Sequence, residues 1–251
     1  MHLENKVVIV TGAGNGIGAE TARLYAEHGA KVILADWAED QVSSVAQSIE
    51  KGHAEAHRLD VSNPESVDAF IKKVVDTHGQ IDVLVNNAGI HIPGSILDSR
   101  LEDWKRISSV NIDGTIFCSK FALPHLLKSQ GNIVNLASVS GLGADWGAAY
   151  YCVTKGAVVN LTRAMALDHG KDGVRVNAVC PSLVKTNMTN DWSEEIHSRF
   201  NERIPLARAA NPREIAQVIV FLSSPLASFV NGANIPVDGG VTASNGQPKL
   251  F

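Results

Sequence analysis

Strand-length apolar runs alternate with longer stretches of helical period along the whole chain. This alternation is typical of repeated βαβ units, in which helices cover both faces of a parallel sheet. No low-complexity linker and no other repeat interrupts it, so residues 1–251 are predicted to form a single α/β domain. The candidate strands are KVVIV (6–10), KVILA (31–35), AEAHRLD (54–60), DVLVN (82–86), NIVNLA (132–137) and VRVNAVC (174–180), with residues 234–237 as a seventh.

Composition argues against several classes of protein. A chain that is 45% hydrophobic and 19% charged can bury a large core. The net charge of -4 and the lack of a basic cluster argue against nucleic acid as a partner. The N-terminal apolar run is too short for a membrane span and does not resemble a signal peptide, so we expect a cytoplasmic protein. Cys118, Cys152 and Cys180 form no C-x-x-C pair, which predicts free, mostly buried thiols and no metal site.

Local signals mark the helix ends. Glycines stand where three helices would stop, at Gly29, Gly52 and Gly79. Helix starts are indicated by two capping-box patterns and by an asparagine before proline: Ser62 to Glu65, Ser99 to Glu102, and Asn211 with Pro212 and Glu214.

Two predicted helices, at about 100–127 and 148–167, are apolar or small on nearly every side. A helix with one face in water would instead show a polar stripe. A helix without such a stripe either lies inside the sheet packing or is covered by another subunit, and we expect a homo-oligomer that uses both helices.

The first strand ends in a glycine-rich turn, TGAGNGIG at 11–18, which leads into a helix. Glycines at such a turn let the backbone approach a pyrophosphate, which the helix N-terminus also attracts. Alone, the pattern fits a simple tight turn equally well. The candidate cofactor contacts here are Gly12, Asn15, Gly16, Ile17 and Gly18.

Asp36 ends the second strand, 18 residues after Gly18, near the spacing at which an acidic side chain meets the adenosine ribose. A carboxylate accepts hydrogen bonds from ribose hydroxyls and repels a 2′-phosphate. The next residue is Trp37 and not an arginine, which would accommodate a 2′-phosphate. NAD(H) is therefore predicted over NADP(H), the alternative being a solvated strand end.

Two further strand ends carry candidate cofactor residues. Asp60, followed by Val61, is placed to bond the adenine amino group. NNAG at 86–89 ends the fourth strand, where cofactors lie over the carboxyl edge of an open sheet. Asn87, Ala88 and Gly89 are predicted to contact the cofactor, although the first and last could simply shape a turn.

Tyr151 and Lys155 are four residues apart on a predicted helix and therefore share a face. A nearby ammonium favours phenolate, which would make Tyr151 a proton donor and acceptor near neutral pH. The alternative is a packing aromatic beside a surface lysine. Ser138, after the fifth strand, could bind the same substrate oxygen, and Asn111 could bond a backbone carbonyl and a water leading to Lys155, or fill a polar gap.

The order and spacing of the motifs described so far resemble the pattern of short-chain dehydrogenases/reductases. These motifs are TGxxxGxG, Asp60, NNAG, Asn111, Ser138 and the Tyr151–Lys155 pair. The resemblance spans nearly the whole chain. It implies a Rossmann-type, doubly wound seven-stranded sheet, an assembly that is usually tetrameric, and catalytic residues Asn111, Ser138, Tyr151 and Lys155 without a metal. In the implied mechanism hydride passes between nicotinamide and a carbinol carbon while Tyr151 exchanges a proton with its oxygen.

The segment after the sixth strand departs from that pattern in one place. Pro181 is followed by Ser182 where the family commonly has glycine. Pro181, Val184 and Thr186 remain the expected nicotinamide contacts, and residues 183–205 are expected to form a mobile substrate lid.

More locally, LADWAED, ASVSGLGADWGAAYYC and NIPVDGG resemble the bacterial meso-2,3-butanediol dehydrogenases of this family, also called acetoin or diacetyl reductases. The resemblance implies an NAD(H)-dependent enzyme acting on a small ketone or diol. Ser138, Ser140, Trp146, Tyr151 and Trp192 are the candidate substrate contacts, the tryptophans being equally compatible with lid or interface packing. Two alternatives remain: another member of the family that acts on polyols or acyl substrates, and a dinucleotide-binding protein without catalytic activity.

Overall fold

The computed structural model describes residues 3–50 and 52–247. Seven strands form one sheet: β1 (Val7–Thr11), β2 (Lys31–Asp36), β3 (Ala54–Arg58), β4 (Val83–Asn86), β5 (Asn132–Leu136), β6 (Arg175–Pro181) and β7 (Asn234–Val237). All neighbours pair in parallel, in the order β3-β2-β1-β4-β5-β6-β7. The seven predicted strands are confirmed, each with bounds that differ by at most one or two residues. The order reverses between β1 and β4, which places a crevice at their carboxyl ends.

Helices cover both faces of the sheet: α1 (Gly16–Glu27), α2 (Glu39–Gln47), α3 (Pro64–His78), α4 (Leu101–Ser108), α5 (Gly114–Ser129), α6 (Val139–Leu142), α7 (Ala149–His169), α8 (Glu194–Arg203) and α9 (Pro212–Ser223). Short 3-10 turns follow at Gly170–Asp172, Pro225–Ala227 and Val241–Ala243. Alternate residues of a strand point to opposite faces. Val8 and Val10 of β1 accordingly pack with α1 and α9, whereas Val7 and Ile9 pack with α3 and α5.

The predicted start of α3 is wrong by one residue. Asn63, not Ser62, caps the helix, because its side-chain oxygen accepts the backbone N–H of Ser66 at 2.8 Å. Pro64 then occupies the first turn, where its missing N–H leaves no bond unmade. Ser62 instead donates its hydroxyl to Asp60 at 2.6 Å.

Of the other two predicted starts, one is wrong and one is confirmed. Ser99 does not cap α4, because the Ser99 hydroxyl donates to the carbonyl of Ser95 at 2.7 Å. The N-cap residue of α4 is Arg100. At the start of α9 the Glu214 carboxylate accepts the backbone N–H of Asn211 at 2.8 Å, as the capping pattern predicts.

The predicted helix stops are also mixed. Gly79 ends α3 in the left-handed conformation and Gly29 follows the end of α1, both with positive φ. Gly52 does not end a helix, because α2 stops at Gln47 and Gly52 shapes the turn into β3.

The two apolar helices lie close to their predicted bounds. The predicted helix at 100–127 is α4 and α5 joined by a π-helical turn, Ser109–Asp113, and that at 148–167 is α7. Several large apolar side chains on them face outward, among them Ile116, Val153 and Leu167.

The thiols of Cys118 and Cys180 are buried and that of Cys152 is half-buried, and all three are free, as predicted. Among the described helices, none combines the length and apolarity needed to cross a bilayer.

Candidate active site

The glycine-rich loop between β1 and α1 is held by the end of β4. The Asn87 amide donates to the carbonyls of Thr11 and Gly12, both at 2.9 Å. The loop folds so tightly that a Cβ on Gly18 would lie 2.1 Å from the Gly12 carbonyl oxygen. The Asn87 side chain therefore shapes the turn, the alternative raised from the sequence, and it fixes the loop over the crevice.

Asp36 is tied to the same loop. Its carboxylate accepts the backbone N–H of Gly14 at 2.8 Å and that of Ala38 at 2.9 Å. Strand pairing places Arg58 beside Asp36, and the Arg58 guanidinium lies 4.8 Å from the centre of the Trp37 ring. No arginine follows Asp36 in the sequence, but the fold supplies one from β3.

A cavity of about 300 Å³ opens in front of the glycine-rich loop. One wall is formed by the loop and α1, and the other by the segment after β6. The residues that line it are Gly14, Asn15, Gly16, Ala19, Glu20, Arg23, Val45, Lys185, Thr186, Asn187, Asn190 and Pro212. The first turn of α1 carries no acidic side chain, so its free N–H groups and positive dipole end suit a pyrophosphate. These residues fit the phosphate end of a dinucleotide.

The predicted contacts at the other strand ends surround the same crevice. Asp60 accepts the backbone N–H of Ser62 at 3.0 Å as well as its hydroxyl, so part of its carboxylate is used by the turn. Val61 is buried. A Cβ on Gly89 would lie 3.3 Å from Asn111 Oδ1 and 3.5 Å from Lys155 Nζ, which places the amide and the amine directly beside the NNAG turn.

Asn111 projects from the π-helical turn and is almost fully buried. Its Oδ1 accepts the backbone N–H of Ile90 at 2.8 Å, and its Nδ2 donates to the Ile90 carbonyl at 2.9 Å and to the Thr154 hydroxyl at 3.1 Å. The predicted bond to a backbone carbonyl is therefore present. Asn111 locks the chain after β4 to helix α7, which carries the tyrosine and the lysine.

Lys155 is buried, with 5% of its surface exposed, and its ammonium donates to the carbonyl of Leu136 at 2.7 Å. Its Nζ lies 5.7 Å from the centre of the Tyr151 ring, so the two side chains share one site as predicted. Helix α6 packs closely against α7 at this point, since a Cβ on Gly141 would lie 2.5 Å from the Lys155 carbonyl oxygen. Only glycine lets α6, with Ser138 at its start, approach α7 so closely.

Burial dominates the electrostatics of the pair. Burial raises the pKa of Tyr151 to about 12; the hydrogen bond with Ser138 opposes this rise and the charge of Asp145 adds to it. Burial lowers the pKa of Lys155 to about 8. In the described chain burial outweighs the groups that lower the pKa of Tyr151, and the lowering by Lys155 stays a prediction.

Ser138 begins a chain of hydroxyl groups. Its Oγ accepts the backbone N–H of Ser140 at 3.1 Å, lies 2.9 Å from Ser140 Oγ and 3.5 Å from the Pro181 carbonyl oxygen. The Ser140 hydroxyl in turn donates to the carboxylate of Asp145. The predicted pair Ser138 and Ser140 is thus brought together next to Tyr151.

Sequence reasoning missed two ionisable residues at this site. The His91 ring lies edge-on to Tyr151 with centroids 4.9 Å apart, and burial lowers the pKa of His91. Asp145 lies at the end of the hydroxyl chain. His91 directly follows NNAGI and Asp145 lies in the segment between Ser138 and Tyr151, so proximity to recognised motifs is the signal that could have found them.

The segment after β6 packs as a unit of its own. Leu183, Ile204 and Ala209 form a small cluster against which Trp192 packs, and the Trp192 ring stacks on Phe200 at 5.1 Å. Val184 pairs with Ala210 in a short parallel bridge.

The candidate substrate contacts of the two tryptophans stay predictions. Trp192 packs within the segment after β6. Trp146 lies in the loop between α6 and α7 and is 94% exposed, and its contact with substrate stays a prediction.

Comparison with known proteins agrees with this arrangement. Residues 12–242 match a family model described as enoyl-(acyl carrier protein) reductase. The chain is 64% identical over 250 residues to a meso-2,3-butanediol dehydrogenase of Serratia marcescens, covering 100% of both chains.

Two solved structures are similar in fold. A 3-ketoacyl-(acyl-carrier-protein) reductase of Brucella melitensis complexed with NADH has a TM-score of 0.91 and 33% identity, over 96% of this chain and 99% of that one. An aldohexose dehydrogenase of Thermoplasma acidophilum has a TM-score of 0.90 and 34% identity, over 99% and 98%. With a doubly wound sheet, a glycine-rich loop at its switch point and a buried tyrosine–lysine pair, the chain belongs to the short-chain dehydrogenase/reductase family.

Proposed function

We propose that the protein is an NAD(H)-dependent dehydrogenase that interconverts acetoin and 2,3-butanediol and also reduces diacetyl. The observation that carries the proposal is the convergence of Tyr151, Ser138, Lys155 and Asn111 at the carboxyl edge of the sheet. Full-length similarity to a meso-2,3-butanediol dehydrogenase supports the choice of substrate.

The cofactor is NAD(H) rather than NADP(H). Asp36 presents a carboxylate at the end of β2, where it accepts hydrogen bonds and repels a 2′-phosphate. The Arg58 guanidinium lies over the Trp37 ring, and this contact keeps the positive charge of Arg58 on the ring rather than at a 2′-phosphate. The residues that would hold the cofactor are Gly12, Asn15, Gly16, Ile17, Gly18, Asp36, Trp37, Asp60, Val61, Asn87, Ala88, Gly89, Tyr151, Lys155, Pro181, Val184 and Thr186.

When bound, the nicotinamide supplies or accepts the hydride. Tyr151 gives a proton to the ketone oxygen in reduction and takes it from the alcohol in oxidation, while Ser138 orients that oxygen. The buried Lys155 ammonium, together with the positive charge of the oxidised nicotinamide, opposes the rise that burial causes in the pKa of Tyr151. Asn111 holds the Ile90 peptide and, through Thr154, the helix that carries both groups.

A vicinal diol or ketol has a second oxygen that needs a polar partner. Ser140 is our candidate for this partner, and its distance of 2.9 Å from Ser138 Oγ supports the choice. Residues 183–205 form the lid, and closure of this lid would bring Trp192 toward the substrate and exclude water.

The enzyme assembles as a homo-oligomer, most simply a tetramer. Val153 and Leu167 on α7 are 56% and 83% exposed, and Ile116 on α5 is 37% exposed. Apolar faces of this kind on neighbouring helices are typical of subunit contacts. The free thiols fit a cytoplasmic location.

A polyol or an acyl substrate is the second candidate, since the fold is shared with an aldohexose dehydrogenase and a 3-ketoacyl reductase. The full set of Asn111, Ser138, Tyr151 and Lys155 argues against a binding protein without catalysis.

The test is an assay of reduced nicotinamide absorbance with acetoin, diacetyl, the butanediol stereoisomers and a polyol panel, each with both cofactors. We expect turnover of acetoin and butanediol with NAD(H), and activity on polyols alone would refute the proposal. Tyr151→Phe should lower kcat by about a hundredfold or more and leave NADH binding intact. Tyr150→Phe is the matched control, because Tyr150 packs edge-on against Trp104 at 5.4 Å and should keep its activity.

A further inference from the structure

Arg58 is an exposed cation at the adenosine end of the proposed cofactor site. It ends β3, and strand pairing makes it the direct neighbour of Asp36 at the end of β2. Even so, none of the ion pairs formed within residues 3–50 and 52–247 includes Arg58. Its guanidinium lies instead over the Trp37 ring, 4.8 Å from the ring centre.

Asp36 and Arg58 lie on the same face of the sheet. Leu34 and Ala56, two residues before them on the two strands, pack in one core cluster. Residues two apart on a strand share a face. Neighbouring strands are about 4.8 Å apart, which is less than the length of an extended arginine side chain. A guanidinium released from Trp37 can therefore lie beside the Asp36 carboxylate, where the adenosine ribose is proposed to bind.

A free cation in that place would favour the other cofactor. NADP(H) differs from NAD(H) by a 2′-phosphate, and a nearby arginine is the residue that accommodates this phosphate. Asp36 repels the phosphate, but a guanidinium beside Asp36 would offset the repulsion. The negative face of the Trp37 ring attracts the Arg58 cation and competes with a phosphate for it.

We propose that Trp37 is a specificity-determining residue, which selects NAD(H) by holding Arg58 away from the 2′ position of the adenosine ribose. The inference rests on the proposed preference for NAD(H) and deepens it, because it makes Arg58 a latent ligand for the 2′-phosphate. Asp36 and Trp37 then act by different means. Asp36 repels the phosphate, and Trp37 withholds the cation that could bind it.

The test is the ratio of the dissociation constants of NADPH and NADH, measured by isothermal titration calorimetry without substrate. Trp37→Ala should lower the Kd of NADPH relative to that of NADH by about twofold to fivefold, which corresponds to the strength of an exposed cation–π contact. Loss of packing by the ring would instead weaken both dinucleotides alike and leave the ratio unchanged. High salt should remove the gain, because it screens the exposed pair of guanidinium and phosphate.

Two further variants identify Arg58 as the source of the gain. The double variant Trp37→Ala with Arg58→Ala should lose it, because no cation is left to release. Trp37→Phe keeps a ring under the guanidinium and should keep the ratio close to that of the wild type. Phe229→Ala is the matched control, since Phe229 is also an exposed aromatic but precedes β7, at the opposite edge of the sheet from β3. Its ratio should equal the wild-type ratio.

The possible failures are distinguishable. If the wild type prefers NADH, the inference alone is overturned by an unchanged ratio in Trp37→Ala, by a gain that survives in the double variant, or by an equal gain in Phe229→Ala. A wild type that binds NADPH as tightly as NADH refutes the proposed cofactor and the inference together. Absence of turnover of acetoin and butanediol refutes the proposed substrate, and the binding ratios still decide the inference.

Discussion

Replacing Lys155 with methionine should make the fold more stable while it removes activity. Lys155 is 5% exposed, and its one hydrogen bond in the described chain is to the Leu136 carbonyl at 2.7 Å. Burial lowers its pKa from 10.5 to about 8, which means that the folded protein holds the proton less tightly than the unfolded chain does. Below pH 8 both states carry the charge, and the folded state alone bears the cost of burying it.

The size of the effect follows from the structure. The fall in the Lys155 pKa corresponds to about 3 kcal/mol at neutral pH, since each pH unit is worth about 1.4 kcal/mol. Methionine fills nearly the same volume without a charge, but it leaves the Leu136 carbonyl without its donor, a loss of about 1 kcal/mol. The variant should therefore gain about 2 kcal/mol in the free energy of unfolding.

The dependence on pH distinguishes this cause from better packing. Between about 8 and 10.5 the unfolded chain binds the Lys155 proton and the folded protein has released it, so the stability of the wild type rises with pH. The variant lacks this rise, and its advantage should disappear across that range. Tyrosine ionisation affects both proteins alike, so the difference between them is the quantity to follow.

The assay is urea denaturation at equal protein concentration on both sides of pH 8, with Lys31→Met as control because Lys31 is exposed at the start of β2. A variant that is no more stable than the wild type at pH 7, or one whose advantage is the same at every pH, would refute the reasoning.

Three further outcomes are expected. Asp36→Ala should reduce the ratio of kcat/KM for NAD+ over NADP+ by about tenfold to a hundredfold, because a charge-assisted bond and a repulsion are both lost; an unchanged ratio contradicts the ribose assignment. Asn111→Ala should lower the free energy of unfolding by about 2–4 kcal/mol in urea denaturation, since the Ile90 peptide loses both partners; a loss below about 1 kcal/mol would show that water replaces the amide. Leu167→Glu should yield smaller species in size-exclusion chromatography with light scattering, and an unchanged mass would exclude that end of α7 from the subunit contact.

The strands could be predicted from the sequence because their apolar runs are set by burial on both faces of a parallel sheet. The helix ends were harder, since several polar residues near a boundary compete for the same backbone groups. Asn63 prevails over Ser62 because Pro64 favours the first turn, and the sequence shows both candidates.

The site was predicted where motif residues lie close to each other in sequence and missed where the fold joins distant strands or loops. Tyr151 and Lys155 share one helix face, so their spacing was sufficient. Arg58 reaches Trp37 only through the pairing of β2 with β3. His91 meets Tyr151 from another strand end.

The turn that carries Asn111 holds one residue more than a regular turn, because it is π-helical. Deleting one residue of Ser109–Asp113 would restore an ordinary helix. The flanking helices α4 and α5 would keep nearly the same relative orientation, since a regular turn and a π-helical turn each complete about one rotation. The faces that both helices pack on the sheet would therefore be retained. The Asn111 amide would lose its projection toward the Ile90 peptide, so a single-codon deletion in this turn should spare the fold and abolish function.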